Sequence, residues 1–149
     1  MEPVVRSLVI QRPVDVVAAQ FADVAHHERA APHRKVRFTV LDEQPDEVRY
    51  RQRSRIGPAA LRQTMVLDRR DPLHLVNTAH DGALVGSTLV FDIGPVGADV
   101  ARVTVTLRFP SSPLARMLGP LLRPLVGRDL AAALDEDRRD LEESYEPTG

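Results

Sequence analysis

The stretch from Val48 to Arg69, VRYRQRSRIGPAALRQTMVLDR, decides how this chain folds. From 48 to 56 arginine takes every second position. From 61 to 69 a mostly apolar set alternates with a polar one, and Gly57-Pro58 stands between the two runs. Successive strand side chains point to opposite faces, so the stretch reads as two antiparallel neighbours joined by a turn. Arg49, Arg51, Arg53 and Arg55 cannot line an apolar interior unpaired, because desolvating an isolated charge costs more than packing returns. They are expected to face water, which turns Tyr50, Gln52 and Ser54 inward. On the next strand Leu61, Gln63, Met65 and Leu67 form the inward set, since the opposite phase would bury Arg62 and Asp68.

The same period continues on both sides. VRFTVL (36–41), LHLVNTAH (73–80), LVGSTLVFDI (84–93) and VARVTVTLRF (100–109) are strand-length segments separated by DEQPDE, RDP, Asp81-Gly82 and GPVGAD. They predict a six-stranded meander over 36–109. Asp-Gly tolerates positive φ, so Asp81-Gly82 predicts a two-residue hairpin turn. In the last strand Ala101, Val103, Val105, Leu107 and Phe109 face in, as do Val85, Leu89, Phe91 and Ile93 before it. VVRSLVIQR (4–12) is a seventh strand that needs an edge of the same sheet.

Pro13 followed by Val17, Phe21 and Val24 at helical spacing predicts a helix over 13–24, and AHHERAAPH (25–33) a further short turn stopped by Pro32. After Pro110, Ser111 and Ser112 precede Pro113 as an N-cap precedes a first-turn proline, and helix is expected to about Tyr145. Pro120, Pro124 and Gly127 should kink or split it. Leu130, Leu134, Leu141 and Tyr145 form its apolar stripe, and the charges between them read as a solvated face. The chain is therefore expected to be α+β, a seven-stranded antiparallel sheet curled around a long C-terminal helix, with two short helices after the first strand. A twisted sheet closing on a helix leaves a concave apolar space where small molecules bind.

That layout, the opening VVRSLVIQRPVDVVAAQFADVAHHERAAPHRKVRFTVL and the closing helix after RFPSSPLARML resemble the polyketide cyclase/dehydrase and lipid-transport superfamily (SRPBCC) with its START-like helix-grip fold. The resemblance covers nearly the whole chain, 1–149, as a single ligand-binding domain. It implies a deep hydrophobic cavity for lipids, polyketides or other apolar rings, in enzymes and binders alike. Many relatives carry tryptophans in the short-helix segment, and this chain has none.

The histidines are the candidates for chemistry. His26 and His33, seven apart, would share one face of an unbroken helix, with His27 and Glu28 to the side. Imidazole titrates near neutrality, so His33 and His26 at the cavity mouth suit acid/base work, with Tyr50 beside them; the plainer alternative is exposed or capping histidines. Gln52, Ser54, Gln63, Met65, Val105, Leu107, Leu118 and Leu122 are the expected ligand-binding wall, where the polar members meet either a ligand or a structural partner. No H-E-x-x-H spacing or phosphate-binding glycine loop is present, so no metal is assigned. His74 and His80 are expected outside.

Composition narrows the rest. A net charge of -1, with Lys35 the only lysine, gives no field to attract nucleic acid. Without cysteine there is neither disulfide nor thiolate site. No apolar run approaches a membrane span and the N-terminus lacks signal-peptide features, so a cytoplasmic protein is expected, monomer or homodimer through its sheet edges. The leading function is a cyclase/dehydratase-like protein acting without cofactor on an apolar, polyketide-derived molecule. The alternatives are a carrier for a hydrophobic ligand and, behind it, a metal-dependent hydrolase using the histidine cluster. Cyclase and carrier alike require an interior hollow.

Overall fold

The computed structural model describes residues 2–56, 58–82 and 84–147. Its elements are β1 (Val4–Ile10), α1 (Val14–Ala22), α2 (Val24–Ala30), β2 (Val36–Glu43), β3 (Glu47–Ile56), β4 (Ala59–Asp68), β5 (His74–Ala79), β6 (Thr88–Gly97), β7 (Val100–Arg108) and α3 (Pro113–Glu143). One sheet holds all seven strands in the order β1-β7-β6-β5-β4-β3-β2, and every pair is antiparallel. The meander and the edge position of β1 are as the sequence predicts. Gly57 of the Gly57-Pro58 turn lies outside the described residues.

The strand faces follow the alternation. Arg49, Arg51, Arg53 and Arg55 are exposed, Val48 and Tyr50 are buried, and Gln52 and Ser54 are half-buried. Gln63, Met65 and Leu67 point inward on β4, and Ala101, Val103 and Val105 on β7. The inward face is covered by α1, through Val17, Ala18 and Phe21, and by the distal half of α3, through Leu134 and Leu141. Fully burying a side chain of this kind contributes about 1.5–3 kcal/mol, so these contacts fix which way the sheet closes. Arg12, just after β1, donates Nη1 to the carbonyl of Leu141 (2.6 Å), one of those the last turn of α3 leaves free, and to that of Tyr145 (3.0 Å) just past the helix end.

Two expectations are corrected. Asp81-Gly82 does not form a two-residue hairpin: β5 ends at Ala79 and β6 starts at Thr88, with Gly86 N donating to Ala79 O. The connection instead folds back onto β4. His80 N donates to Thr64 O, the Asp81 carboxylate accepts from Thr64 N at 2.6 Å, and Gly82 sits at φ +91° with Arg62 O 2.5 Å from where a Cβ would be. Val85 therefore lies in the connection, exposed, rather than on the inward face. The second correction concerns α3, which Pro120 and Pro124 do not split: it runs unbroken for 31 residues from a Ser112 cap whose hydroxyl accepts from Ala115 N. In its first turns Leu114, Met117, Leu118 and Leu121 face outward, all exposed.

Candidate functional site

Three separate elements bring ionisable groups to one buried point. Asp23 ends α1 and caps α2, its carboxylate accepting from His26 N at 2.9 Å. One turn on, His27 lies on the buried face of α2. Its Nδ1 donates to the Asp23 carbonyl (2.9 Å), and its Nε2 lies 2.8 Å from Asp137 Oδ1. Ala31 then adopts a left-handed conformation (φ 45°, ψ 58°) and Pro32 bars further helix, so the chain reverses. That reversal lays His33 over His27, ring centroids 5.6 Å apart and planes 20° from parallel. His33 Nδ1 is 3.1 Å from Glu136 Oε1, and its Nε2 is 3.3 Å from Asp137 Oδ2.

Asp137 comes from α3, between Leu134 and Leu141 on the stripe that packs into the core. The charge run is thus not wholly a solvated face: Asp137 is 4% exposed. Gln20, fully buried on α1, donates Nε2 to Asp137 Oδ1 and to Asp140 Oδ2, each at 2.9 Å.

Burial is the largest influence on each group and disfavours its charged form, yet the mutual attraction outweighs it. Burial pushes the His33 imidazole down, but Asp137 and Glu136 hold its pKa up at about 9. His27 is likewise raised, with Asp137 overcoming desolvation. Burial would lift the Asp137 carboxyl, and the two histidines hold it below the usual carboxylate range. The ligating atoms of His27, His33 and Asp137 all lie within 4.8 Å of one another.

These three side chains form one wall of a cavity of about 70 Å³. Apolar walls come from Phe21 and Val24 on the helices and from Phe38, Leu67, Leu89 and Phe91 on the sheet; Tyr50, Gln52 and Asn77 complete it. The Tyr50 hydroxyl donates to Asn77 Oδ1 at 2.6 Å, and Asn77 Nδ2 donates to Leu89 O at 3.3 Å. Burial raises the Tyr50 pKa, and the hydroxyl hydrogen is engaged by Asn77. Phe38, Gln52, Leu89 and Phe91 are half-buried and form the mouth. A hollow of about 70 Å³ has room for roughly two waters, far below the several hundred Å³ of a site enclosing a drug-sized ligand. The deep cavity implied by the resemblance is thus a small one here, because aromatic rings fill it: Phe21 packs on Phe91 at 5.1 Å and Phe38 on Tyr50 at 5.5 Å. A shallow groove near Leu73, Pro95 and Thr104 measures about 340 Å³, but its ionisable groups, Asp92 and Arg102, are exposed.

Among the residues singled out in the sequence, His33, Tyr50 and Gln52 reach this cavity. His26 does not: its Nε2 bonds Asp140 Oδ2 at 2.7 Å and its ring packs on Tyr145. The two histidines that converge are His27 and His33, since the chain leaves the helix at Ala31 and helical spacing ceases to apply. Met65 and Val105 are core residues without cavity surface, while Ser54 and Leu107 are half-buried. Gln63 lies where β4 has run beyond its pairing with β5, close to Gly82. Leu118 is 37% exposed and Leu122 half-buried, and neither lines the cavity, because the first turns of α3 precede the part that packs on the core. His74 and His80 are exposed, as expected. The residues missed, His27, Asn77 and Asp137, each left a trace: a polar side chain at an inward phase of its helix or strand.

No protein-family model matches the chain, and no curated protein matches its sequence. Solved structures do match. TTHA0849 from Thermus thermophilus superposes with a TM-score of 0.83 at 15% identity, over 97% of this chain and 99% of that one. A START superfamily protein from Mycobacterium smegmatis gives 0.68 at 12%, over 91% and 99%. The chain has the START-like helix-grip fold. Another helix-grip neighbour, the Zhui aromatase/cyclase from Streptomyces sp. R1128, gives 0.80 at 16% identity, over 95% and 93%. The superfamily resemblance read from the strand-proline-helix opening holds at the level of fold. Among the described residues no helix is long and apolar enough to cross a membrane.

Proposed function

We propose that this protein is a cyclase/dehydratase-like enzyme that takes the carbonyl-bearing end of an apolar, polyketide-derived molecule into the His27–His33–Asp137 end of its cavity. The supporting observation is the placement of that buried charged cluster in the wall of an otherwise aromatic hollow, on a fold shared with an aromatase/cyclase. The rest of the substrate extends through the mouth past Phe38, Leu89 and Phe91. Apolar walls hold a flexible chain close to itself, and proximity supplies part of the rate. A polar group fixed against the carbonyl oxygen stabilises the charge that develops there, and does so more strongly where water is excluded. His27 takes the place expected of His26, and Tyr50 with Asn77 shapes the wall. The small hollow bears on a cyclase and a carrier alike; what favours the cyclase reading is the buried charged cluster in its wall, which a carrier, needing only shape and apolar area, does not require.

The test is an NMR titration with 2-naphthol, a small aromatic ring bearing one oxygen. Saturable shifts are expected at His33, Phe38 and Asn77, and Leu89→Trp should weaken binding at least tenfold by filling the mouth. Shifts confined to the groove near Arg102, or an unaffected Leu89→Trp, would overturn the assignment. Conversion of a poly-β-ketothioester mimic, followed by mass spectrometry, tests the chemistry; a binder that leaves it unchanged is not a cyclase.

A further inference from the structure

We propose that His27, His33 and Asp137 form a binding site for one divalent transition-metal ion. The His27 Nδ1 faces the Asp23 carbonyl at 2.9 Å, and a carbonyl only accepts, so this nitrogen carries the hydrogen. The His33 Nδ1 faces the Glu136 carboxylate at 3.1 Å and carries its hydrogen for the same reason. In the neutral tautomers so fixed, both Nε2 atoms present lone pairs to Asp137, at 2.8 and 3.3 Å. Three acceptors then converge on one buried point. Two additional protons satisfy that arrangement, and so does a single dication, which carries the same charge.

The surroundings favour the cation. Metal-bound histidines characteristically donate their other ring nitrogen to a carbonyl or carboxylate, which fixes the tautomer and orients the ring. Both histidines do so here, and Glu136 is itself held by Arg34 N at 3.0 Å. An ion about 2.1 Å from each ligand keeps ligand atoms about 3.4 Å apart in tetrahedral geometry. The 3.3 Å separation already matches, and the other separations, from 2.8 Å up to the 4.8 Å that encloses the set, need only modest side-chain rotation. Two imidazoles and one carboxylate suit zinc or ferrous iron and not magnesium or calcium, which prefer oxygen donors. The absence of H-E-x-x-H spacing does not bear on this site, because its ligands come from α2, the segment before β2, and α3. All three residues also line the cavity, so any further ligand to the ion would come from there. The site shares a wall with the proposed substrate pocket but does not depend on a substrate binding.

The experiment uses the full chain, stripped with EDTA, dialysed and titrated with zinc chloride by isothermal calorimetry, with melting curves in parallel. One zinc per chain is expected, together with a melting temperature that rises with zinc concentration. Asp137→Asn and His33→Gln should each weaken binding at least a hundredfold. Glu136→Gln, which leaves the three ligands in place and changes the carboxylate that His33 Nδ1 and Arg34 N share, should weaken it about 10- to 100-fold. His26→Gln, in the neighbouring pair with Asp140, should leave affinity unchanged, and magnesium should give no heat. Less than half a zinc per chain, retained affinity in His33→Gln, or an equal loss in His26→Gln would overturn the site. If Asp137→Asn does not fold, His33→Gln and Glu136→Gln carry the test. The 2-naphthol titration repeated in EDTA separates the two proposals: a probe that still binds while zinc does not overturns the metal site alone, and zinc bound without the probe overturns the pocket alone.

Discussion

Asp137→Asn, studied in the presence of EDTA, probes the interior most directly. The substitution keeps the shape of the side chain and removes the charge that two stacked imidazoles share. Breaking a buried ion pair by neutralising one partner costs about 3–5 kcal/mol. For a chain of 149 residues each kcal/mol corresponds to a shift of about 2–4 °C, so a fall of about 6–20 °C in melting temperature is expected. The pH dependence gives a sharper check. Burial pulls the His33 imidazole down and Asp137 with Glu136 raises it, for a folded value of about 9 against an ordinary 6.5. Its contribution to stability is therefore complete below pH 6.5 and lost as pH rises through 9. The Asp137 carboxyl, held below its ordinary 3.8, contributes above that pH and loses its contribution on further acidification. The stability gap between parent and variant should be widest between about pH 4.5 and 6.5 and should narrow towards pH 10. Urea unfolding at pH 6, 8 and 10 reads this directly, with slopes expected to be equal for the two proteins. A gap below 1 kcal/mol at pH 6, or one that stays constant to pH 10, would refute the coupled cluster.

Tyr50→Phe leaves Asn77 Oδ1 buried without its donor and should cost about 1–3 kcal/mol in urea unfolding, while 2-naphthol affinity changes less than threefold. Gly82→Ala places a Cβ 2.5 Å from Arg62 O at a φ of +91°, so a loss of about 2 kcal/mol or more is expected by the same method. His74→Gln breaks an ion pair with Asp92 whose partners are both more than half exposed, and should leave stability within about 0.5 kcal/mol.

The fold was legible because one physical constraint repeats along the chain. The arginines of β3 cannot enter the core, and this sets the phase of Tyr50, Gln52 and every strand paired beyond them. The site was less so, since each of its parts depends on tertiary direction. Nothing local shows that Ala31 turns left-handed, and without that turn His26, not His27, is the natural companion of His33. Asp137 sits among the eight charged residues between Asp135 and Glu143 that read as a wet surface, and only its position between Leu134 and Leu141 distinguishes it. The Asp81-Gly82 turn misled for a related reason: its glycine is required by contact with β4, not by a tight hairpin. The exposure of Leu118 follows from how far α3 runs before it reaches the sheet.

The pairing of β1 with β7 has a consequence for how the molecule comes to exist. Ser7 and Thr104 meet across 97 residues, and Arg12 waits for carbonyls at the far end of α3. During synthesis β1 stays without its neighbour until almost the whole meander has been made. Closure of so distant a contact is slow, and an unsatisfied strand in the interval is open to mispairing with other chains. Yield on overexpression should therefore be governed by the lifetime of that orphan strand more than by the final stability of the sheet.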